Sequence, residues 1–496
     1  MTKKRSAGIL LHISSLPSSF GIGDLGKEAY KFADFLNRAG QRYWQILPLT
    51  PIDADQSYSP YSSVSSMAGN IWFISPEKLF EDGYLSKDDI SVTQGKPDRV
   101  NYLKSIQLKS KLLAKAFKNH KAHRKAAFEA FCDREAYWLD DFALFMALKS
   151  FHKSKPWYEW PESFKQRNLK NLLKFTAENE SEIAYVKWLQ FQFFHQWKSL
   201  KRHCNDLNVQ ILGDLPFYVS YDSVDVWSRQ EIFKLNKNGT MAGVAGVPPD
   251  YFNEDGQLWG MPVYRWDVLK DQGYDWWLKR IRKNMELVDL LRLDHFRAFA
   301  DYWEVPAKEK TAVRGEWKLG PGEHFFATLK QEFGTLPFIA EDLGDISPAV
   351  YRLRDQFKLP GMKVLQFGFG DNFESSDHIP HNYAPNFFAY TGTHDNNTTR
   401  GWYRKELKSR TRDDIKLYTN TSVKEENIHE VFIRMVYASV AKTAIVPMQD
   451  ILGLDESTRM NIPASTGKNW QWRLSSDDYT KEEGWLRQLA TLYNRT

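Results

Sequence analysis

The chain has 496 residues, of which 42% are hydrophobic and 26% are charged, a balance typical of a globular protein with a large buried core. The net charge of +5 comes from 67 basic and 62 acidic residues interspersed along the chain, which argues against a nucleic-acid partner. No run reaches the roughly 18 apolar residues of a membrane span. Two cysteines imply no disulfide framework, so we predict a cytoplasmic protein that makes no membrane contact.

Eight short, mostly apolar runs are typical of strands that are buried on both faces. In chain order they are 8–13, 43–47, 209–213, 287–293, 338–340, 362–367, 387–391 and 443–448. Helical patterns separate several of them, most clearly Lys27–Arg38 and 182–203. Because strands and helices alternate, the sequence predicts an α/β fold with a parallel sheet, and a (β/α)8 TIM barrel is the simplest arrangement.

The predicted strands are unevenly spaced along the chain. About 160 residues separate the second from the third, far more than the dozen or so that a crossover needs. We expect a mostly helical insertion there, at about 54–180. Residues 239–262 are rich in Gly and Pro, which predicts a second insertion, an active-site loop region at about 222–275. The chain 1–496 is therefore predicted to be a single catalytic barrel with large inserted subdomains at its active face.

A glycine pattern near the start raises an alternative function. Gly21, Gly23 and Gly26 match the G-x-G-x-x-G fingerprint of dinucleotide-binding folds, which would make the protein a nicotinamide-dependent oxidoreductase. Seven residues separate Gly21 from the preceding strand, and no acidic residue follows the next strand to hold a ribose. We therefore expect these glycines to shape a loop at the barrel mouth, and we predict no cofactor.

Histidine pairs are the only candidates for a metal site. His378 and His381 lie three residues apart, as do His120 and His123, and neither pair has a cysteine nearby. We predict ordinary surface histidines and no metal.

Three carboxylates follow predicted strands and point to a specific chemistry. They are Asp294, Glu341 and Asp395, separated by 47 and 54 residues, which leaves room for a helix and a return strand each time. In a parallel barrel, side chains at the carboxyl ends of strands converge on one face. Two carboxyl groups about 5–5.5 Å apart are what retaining glycoside chemistry requires. His394, beside Asp395, is placed to hydrogen-bond sugar hydroxyls.

The neighbours of two of these carboxylates predict different protonation states. Arg292 and His295 flank Asp294, and a cationic neighbour favours the ionised form that a nucleophile needs. Glu341 follows an apolar run and precedes Asp342. Burial and a like charge both raise the pKa of a carboxyl group, which suits a general acid at neutral pH.

With these residues in place, the chain resembles glycoside hydrolase family 77, the 4-alpha-glucanotransferases of the amylomaltase or disproportionating-enzyme type, which are related to the alpha-amylases. The resemblance runs nearly end to end and includes the segments 8–17, 43–49, 59–61, 213–216, 246–252, 256–260 and 459–463. The segment 248–260 is specific to this family, whereas the carboxylate motifs alone fit the wider amylase group.

The resemblance implies a role for each matching residue. Asp294 would be the nucleophile, Glu341 the acid/base and Asp395 the stabiliser of the transition state. The donor glucose would be held by Tyr61, Asp214, Arg292 and His394. Residues on the acceptor side would be Gln257, Trp259 and Asp371, with Tyr102 as a more distant glucan contact. The aromatic residues that would close over the site to exclude water are Tyr251, Phe252 and Trp259.

The predicted function is transfer of alpha-1,4-glucan segments between maltooligosaccharides by a retaining double displacement. The expected partners are maltooligosaccharides and glucans derived from starch or glycogen. Two further alternatives stay open on the residues: a hydrolase with the same site, and a non-catalytic starch-binding protein.

Overall fold

The computed structural model describes residues 5–91, 95, 97–120, 125–249, 254–465 and 467–496. Within them the strands are β1 (Ser6–Leu10), β2 (Tyr43–Gln45), β3 (Gln210–Leu215), β4 (Gly243–Val247), β5 (Gln257–Pro262), β6 (Leu290–Leu293), β7 (Asp301–Pro306), β8 (Glu316–Leu319), β9 (Phe338–Ala340), β10 (Gly361–Val364), β11 (Phe387–Tyr390) and β12 (Thr443–Pro447). Tyr251 and Phe252, which were predicted for the site, lie outside the described residues.

Eight of the described strands form one parallel sheet in the order β10-β11-β12-β1-β2-β3-β6-β9. The two end strands, β9 and β10, lie close to each other. The backbone N–H of Ala340 in β9 donates to the carbonyl of Pro360, next to β10, at 2.9 Å. The predicted (β/α)8 TIM barrel is therefore confirmed. Each of the eight predicted strands overlaps one strand of this barrel.

Burial on both faces explains why the apolar runs form these strands. Every residue of β1, β9, β10, β11 and β12 is buried, and sheets covered on both sides favour such continuous apolar sequences. Gly8 in β1 permits a close approach to β2, since a Cβ atom there would lie 2.5 Å from Cβ of Tyr43.

The described helices surround the barrel and fill the first insertion. They are α1 (Lys27–Arg38), α2 (Pro76–Glu81), α3 (Lys87–Ile90), α4 (Tyr102–Asn119), α5 (Lys125–Phe151), α6 (Glu162–Lys165), α7 (Leu169–Glu178), α8 (Glu180–Asp206), α9 (Val224–Ser228), α10 (Trp266–Asp271), α11 (Asp275–Leu287), α12 (Gly322–Phe333), α13 (Pro348–Gln356), α14 (Thr399–Lys405), α15 (Ser409–Thr419), α16 (Ile428–Ala438), α17 (Met448–Ile451) and α18 (Glu483–Leu492). None of these described helices is long and apolar enough to cross a membrane.

Seven helices, α2 to α8, lie between β2 and β3 in the part of the chain that the structure describes. The two longest, α5 and α8, pack through aromatic rings. Trp138 lies 5.8 Å from Phe194, and Phe131 lies 5.6 Å from Phe191, measured between ring centroids. These large buried rings hold the helical segment together as a layer against the barrel.

A second sheet is the main departure from the predicted fold. Four described strands pair antiparallel in the order β5-β4-β7-β8. The insertion expected at about 222–275 thus contains two strands, β4 and β5, which pair with each other. The pairing of β4 with β7, which lies more than 30 residues beyond β5, is non-local, so the local composition did not reveal it.

The glycine-rich loop at the start is packed against the barrel. A Cβ atom on Gly23 would lie 2.0 Å from the carbonyl oxygen of Ile13. Asp24 accepts a hydrogen bond from the backbone N–H of Gly26 at 3.0 Å, and its other oxygen accepts from Nζ of Lys109 at 3.0 Å. Lys109 lies in α4 and is fully buried. The loop joins α4 to the barrel.

Candidate active site

A buried guanidinium forms the centre of the site at the carboxyl ends of β3 and β6. Nη1 of Arg292 donates to both carboxylate oxygens of Asp214, at 2.8 and 2.7 Å, and to Oδ1 of Asp294 at 2.9 Å. Arg292 and Asp214 are buried, whereas the side chain of Asp294 is 27% exposed and faces the cleft. One cation thus holds the carboxylate of Asp294 in place while leaving part of it accessible.

Glu341 lies on the other side of the same guanidinium, just after β9. Its Oε2 accepts from the backbone N–H of His295 at 2.8 Å and lies 3.9 Å from Nη2 of Arg292. Burial raises the pKa of Glu341 to about 8, and the charge of Asp294 adds to the rise, while Arg292 opposes it. Glu341 is therefore a protonated, proton-donating group at neutral pH.

The like charge beside Glu341 is not the one predicted from the sequence. Asp342 is buried and directed away from the cleft, where it pairs with Arg354 and accepts from the backbone N–H of Met362 at 2.8 Å. Successive residues of an extended segment point to opposite sides, so the neighbour in sequence is not the neighbour in space. Asp294 supplies the like charge instead.

His295 positions Glu341 through its backbone. It adopts a left-handed conformation with φ of 50°, which is uncommon for a residue other than glycine and orients its N–H toward Glu341. Its ring packs edge-on against Trp259 at 4.9 Å. Burial lowers the pKa of His295 to about 4. Of the two residues that flank Asp294 in sequence, Arg292 is therefore its cationic neighbour, and His295 acts through its backbone.

Asp395 lies after β11 at the open side of the site. Its Oδ1 accepts from Nδ2 of Asn461 at 2.6 Å, and its backbone carbonyl accepts from Nη2 of Arg459 at 2.6 Å. Oδ2 lies 3.3 Å from Nε2 of His394, and the carboxylate is 44% exposed. The residues 459–461 therefore hold an accessible carboxylate in one orientation.

Aromatic rings complete the site beside Asp395. The ring of Tyr61 stacks on that of His394 at 5.2 Å with 14° between the planes, and its hydroxyl donates to Oδ2 of Asp214 at 2.8 Å. Trp470 lies 5.8 Å from Tyr61. Tyr61 thus connects the buried ion pair of Asp214 with the exposed wall.

An open cleft of about 580 Å³ is lined by Tyr61, Asp294, His394 and Asp395. Asp214, Arg292 and Glu341 are not among its lining residues, but each is hydrogen-bonded to a residue that is. The second sheet contributes Gln257 and Trp259 from β5, with Nε1 of Trp259 donating to Oε1 of Gln257 at 3.2 Å. The cleft is bounded by residues from six separate parts of the chain, namely Ser59, Tyr61, Ser62, Pro216, Phe217, Tyr218, Gly256, Gln257, Leu258, Trp259, Met261, Asp294, His295, His394, Asp395, Asn461, Pro463, Ala464 and Trp470. Its size and polar groups suit an oligomeric polar ligand.

Two predicted site residues lie apart from this cleft. Tyr102 lines a separate groove of about 920 Å³, where its ring stacks on Tyr58 at 4.0 Å. Its hydroxyl donates to the carbonyl of Trp470 at 2.6 Å, which connects the groove to the cleft wall. Asp371 is exposed in the segment after β10 and is not among the residues that line the cleft.

Several residues of the site were not singled out from the sequence. Tyr218, Asn461 and Trp470 line the cleft, and Asn461 orients Asp395. Tyr218 follows β3 by three residues, so its place after a strand was an available signal. Trp470 follows β12 by 23 residues, and nothing local in the sequence places it there. No cluster of three or more His, Cys, Asp or Glu in the described residues could hold a metal ion.

The fold and this pair of carboxyl groups are those of a barrel enzyme that acts on glycosidic bonds. Comparison with known proteins agrees. The family model of glycoside hydrolase 77, described as 4-alpha-glucanotransferase, matches residues 11–479, and the chain belongs to this family.

Individual relatives cover the whole chain. A 4-alpha-glucanotransferase of Aquifex aeolicus is 44% identical over 99% of both chains, and a chloroplastic/amyloplastic 4-alpha-glucanotransferase of Solanum tuberosum is 41% identical over 99% of this chain and 87% of its own. Among solved structures, the amylomaltase from Streptococcus agalactiae in complex with acarbose is 40% identical, covers 99% of this chain and 100% of its own, and superimposes with a TM-score of 0.95.

Proposed function

We propose that this 4-alpha-glucanotransferase uses Asp294 as nucleophile and Glu341 as acid/base in a retaining double displacement. In the first step Glu341 protonates the leaving glycosidic oxygen while Asp294 attacks the anomeric carbon, which forms a covalent glucosyl-enzyme. Asp395 and His394 would contact the sugar hydroxyls and stabilise the distorted ring. No cofactor or metal takes part in either step.

The observation that carries the proposal is the different environment of two carboxyl groups around one guanidinium. The pKa of Glu341 is raised to about 8, first by burial and then by Asp294, so Glu341 holds its proton at neutral pH. Asp294 accepts a hydrogen bond from Arg292 at 2.9 Å and faces the cleft. Cleavage with retention requires a proton donor and a nucleophile.

The second step decides between transfer and hydrolysis. Glu341, now ionised, removes the proton from the 4-hydroxyl of a second glucan, which attacks the anomeric carbon and restores an alpha-1,4 bond. Water must be excluded while this acceptor binds. Trp259 and Gln257 would form the acceptor wall, since aromatic surfaces exclude water and stack on sugars.

The substrates that fit this cleft are maltooligosaccharides and glucans derived from starch or glycogen. Tyr61, Asp214, Arg292 and His394 would hold the donor glucose, and Asp371 the acceptor side. The stacked rings of Tyr58 and Tyr102 support a second glucan contact away from the cleft.

A cytoplasmic location is part of the proposal. It is supported by Cys132 and Cys204, which are both free thiols in the structure, as expected in a reducing compartment.

Product analysis with maltotriose tests this function. We expect a ladder of shorter and longer glucans with a constant number of reducing ends, because each cleavage is matched by a new bond. A rising number of reducing ends would instead identify a hydrolase with the same site.

The matched control is Asp294→Asn, which keeps the size and one hydrogen-bond acceptor but removes the nucleophilic charge. We expect it to lose about 10⁴-fold or more in turnover, as nucleophile removals do in other covalent mechanisms. If wild type and Asp294→Asn both convert no glucan, the protein is a binding protein and the proposal fails.

A further inference from the structure

A buried nitrogen of His394 has no described partner. His394 is 6% exposed, and its Nε2 lies 3.3 Å from Oδ2 of Asp395. The carboxylate next to Nε2 favours the tautomer that has its proton on Nε2 and a lone pair on Nδ1. Nδ1 is buried, and no hydrogen-bond partner for it occurs in the part of the chain that the structure describes.

A second histidine faces the same small cavity. His12 follows β1, and its Nδ1 accepts from the backbone N–H of Leu47 at 3.2 Å. Because Nδ1 is an acceptor, the proton of the neutral ring is on Nε2. Burial lowers the pKa of His12 to about 3, so His12 stays neutral at physiological pH.

Both histidines line one small cavity, which is large enough for one water molecule. It measures about 20 Å³. Roughly 10–15 Å³ is enough for a water, provided that two to four polar partners are present.

Two polar groups of the residues that line this cavity complement each other. A water there would accept one hydrogen bond, from Nε2–H of His12, and would donate one to Nδ1 of His394. The water would then have two polar partners and Nδ1 would be satisfied, whereas without the water this buried acceptor is left unpaired at a cost in free energy.

We propose that His12 is a positioning residue for His394, acting through one buried water that keeps the lone pair of His394 on Nδ1 and its proton on Nε2. With that tautomer, His394 donates from Nε2 toward Asp395 and the donor sugar, and it cannot turn its N–H inward. The inference rests on the proposed function, since it assumes that His394 contacts the donor sugar. His12 itself lies behind His394 and is not a catalytic residue.

Two measurements test the water and the tautomer without any turnover. A crystal structure of the wild-type protein should show one water within hydrogen-bond distance of both Nε2 of His12 and Nδ1 of His394. Two-bond ¹H–¹⁵N correlation spectra of histidine-labelled protein should show His394, assigned by its loss in His394→Asn, as a single tautomer protonated on Nε2.

Substitutions of His12 then test its effect on His394. His12→Phe removes both the acceptor and the donor, and we expect a mixture of His394 tautomers and roughly tenfold lower kcat with maltotriose, as for one lost hydrogen bond at the reacting sugar. His12→Gln can accept from Leu47 and donate to the water. We expect it to keep the Nε2 tautomer and to stay within about threefold of the wild-type kcat.

His378→Phe is the matched control for a merely structural role. His378 also follows a barrel strand, its Nδ1 accepts from the backbone N–H of Val364 at 3.1 Å, and burial lowers its pKa to about 4. We expect the Tm to be lower in both Phe variants. The tautomer of His394 and the kcat should change only in His12→Phe.

Three results would overturn the proposal. They are the absence of the water, an unchanged His394 tautomer in His12→Phe, and an equal loss of kcat in the two Phe variants. If the wild-type protein forms no ladder from maltotriose, the proposed function fails, while the water and the tautomer still decide whether His12 positions His394.

Discussion

The site has two parts, a charged floor and an aromatic rim, which differ in the kind of contact their residues make. The charged floor, formed by Asp214, Arg292, Asp294 and Glu341, consists of residues at the ends of barrel strands. The aromatic rim, formed by Tyr218, Trp259 and Trp470, comes from segments outside the barrel strands. Each floor residue has a specific ionic or hydrogen-bond partner, whereas the rim acts mainly through ring surface.

This difference predicts different responses to substitution. A buried charge requires its partners in fixed places, because an unpaired charge in a low-dielectric interior is costly. Ring surface is less directional, and its contribution grows with contact area. Floor substitutions should therefore change the rate of bond cleavage and the stability, and rim substitutions should change substrate binding and water exclusion.

After Asp294→Asn, the largest effect is expected for Glu341→Gln. Glutamine fills the same space but cannot deliver a proton to the leaving oxygen, so we expect turnover of maltotriose to fall by about 10³-fold. Steady-state measurement of kcat/KM decides the matter, and near-normal turnover would remove Glu341 from its role.

The pH profile gives an independent check on Glu341. Because its pKa is about 8 in the folded protein, the proton needed for cleavage is present below that pH, and kcat/KM should fall as the pH rises through about 8. The residual activity of Glu341→Gln should lack this alkaline decline.

The pH dependence of the protein's stability should also reflect the raised pKa of Glu341. Between the ordinary pKa of about 4.5 and about 8, the folded protein binds more protons at Glu341 than the unfolded chain does. Stability from this group is therefore lost as pH rises across that window. Glu341→Gln lacks the dependence, so its Tm relative to wild type should increase from about pH 5 to about pH 9, and a constant difference would contradict the raised pKa.

The next largest effect is expected for Asp214→Asn. This change removes the carboxylate that accepts two hydrogen bonds from Arg292 and leaves the buried cation less compensated. We expect the free energy of unfolding to fall by about 3 kcal/mol, and turnover to fall by roughly 100-fold through misplacement of Asp294. Urea denaturation and steady-state kinetics measure the two effects.

Asp225→Asn is the control for Asp214→Asn. Asp225 is equally buried, but it is held by the backbone N–H and the hydroxyl of Ser66, each at 2.7 Å, and does not line the cleft. It should lower stability without changing the turnover of the folded protein. Equal turnover losses in both variants would mean that loss of any buried carboxylate lowers turnover, and that the floor is not specifically required.

The smallest effect is expected at the rim, for Trp259→Ala. Loss of the ring should raise KM for maltotriose about tenfold and increase the share of hydrolysis, because the acceptor loses a stacking surface and water gains access. Reducing-end assays beside product ladders separate these outcomes. Trp317 lies in β8 of the same sheet and outside the cleft, so Trp317→Ala should change neither KM nor the share of hydrolysis. A similar change in Trp317→Ala would show that any disturbance of this sheet has the effect.

The barrel could be predicted well from the sequence. The predicted strand 338–340 coincides with β9, and Lys27–Arg38 coincides with α1. Burial on both faces gives strands a continuous apolar signal, and α1 has one apolar side. The second sheet could not be predicted in the same way, because β4 and β5 contain Gly and Pro and are stabilised by pairing with a distant segment.

The carboxylates of the site were predictable and their environments were only partly so. Asp294 and Glu341 stand directly after strands, and the expected protonation of Glu341 agrees with its raised pKa. Burial is the main cause of that rise, as expected, but the like charge comes from Asp294, since Asp342 faces Arg354, away from the cleft. That His295 is buried against Trp259 could not be predicted from its place beside Asp294.

What the sequence by itself determined is the order of apolar runs and the polar residue that ends each one, since both are local properties of the chain. What only the tertiary structure decided is which charges face one another across Arg292, which histidines are neutral, and where the aromatic rim lies. These depend on burial and on distances between residues far apart in sequence. A pKa or a hydrogen-bond partner has no value until the chain has folded around it.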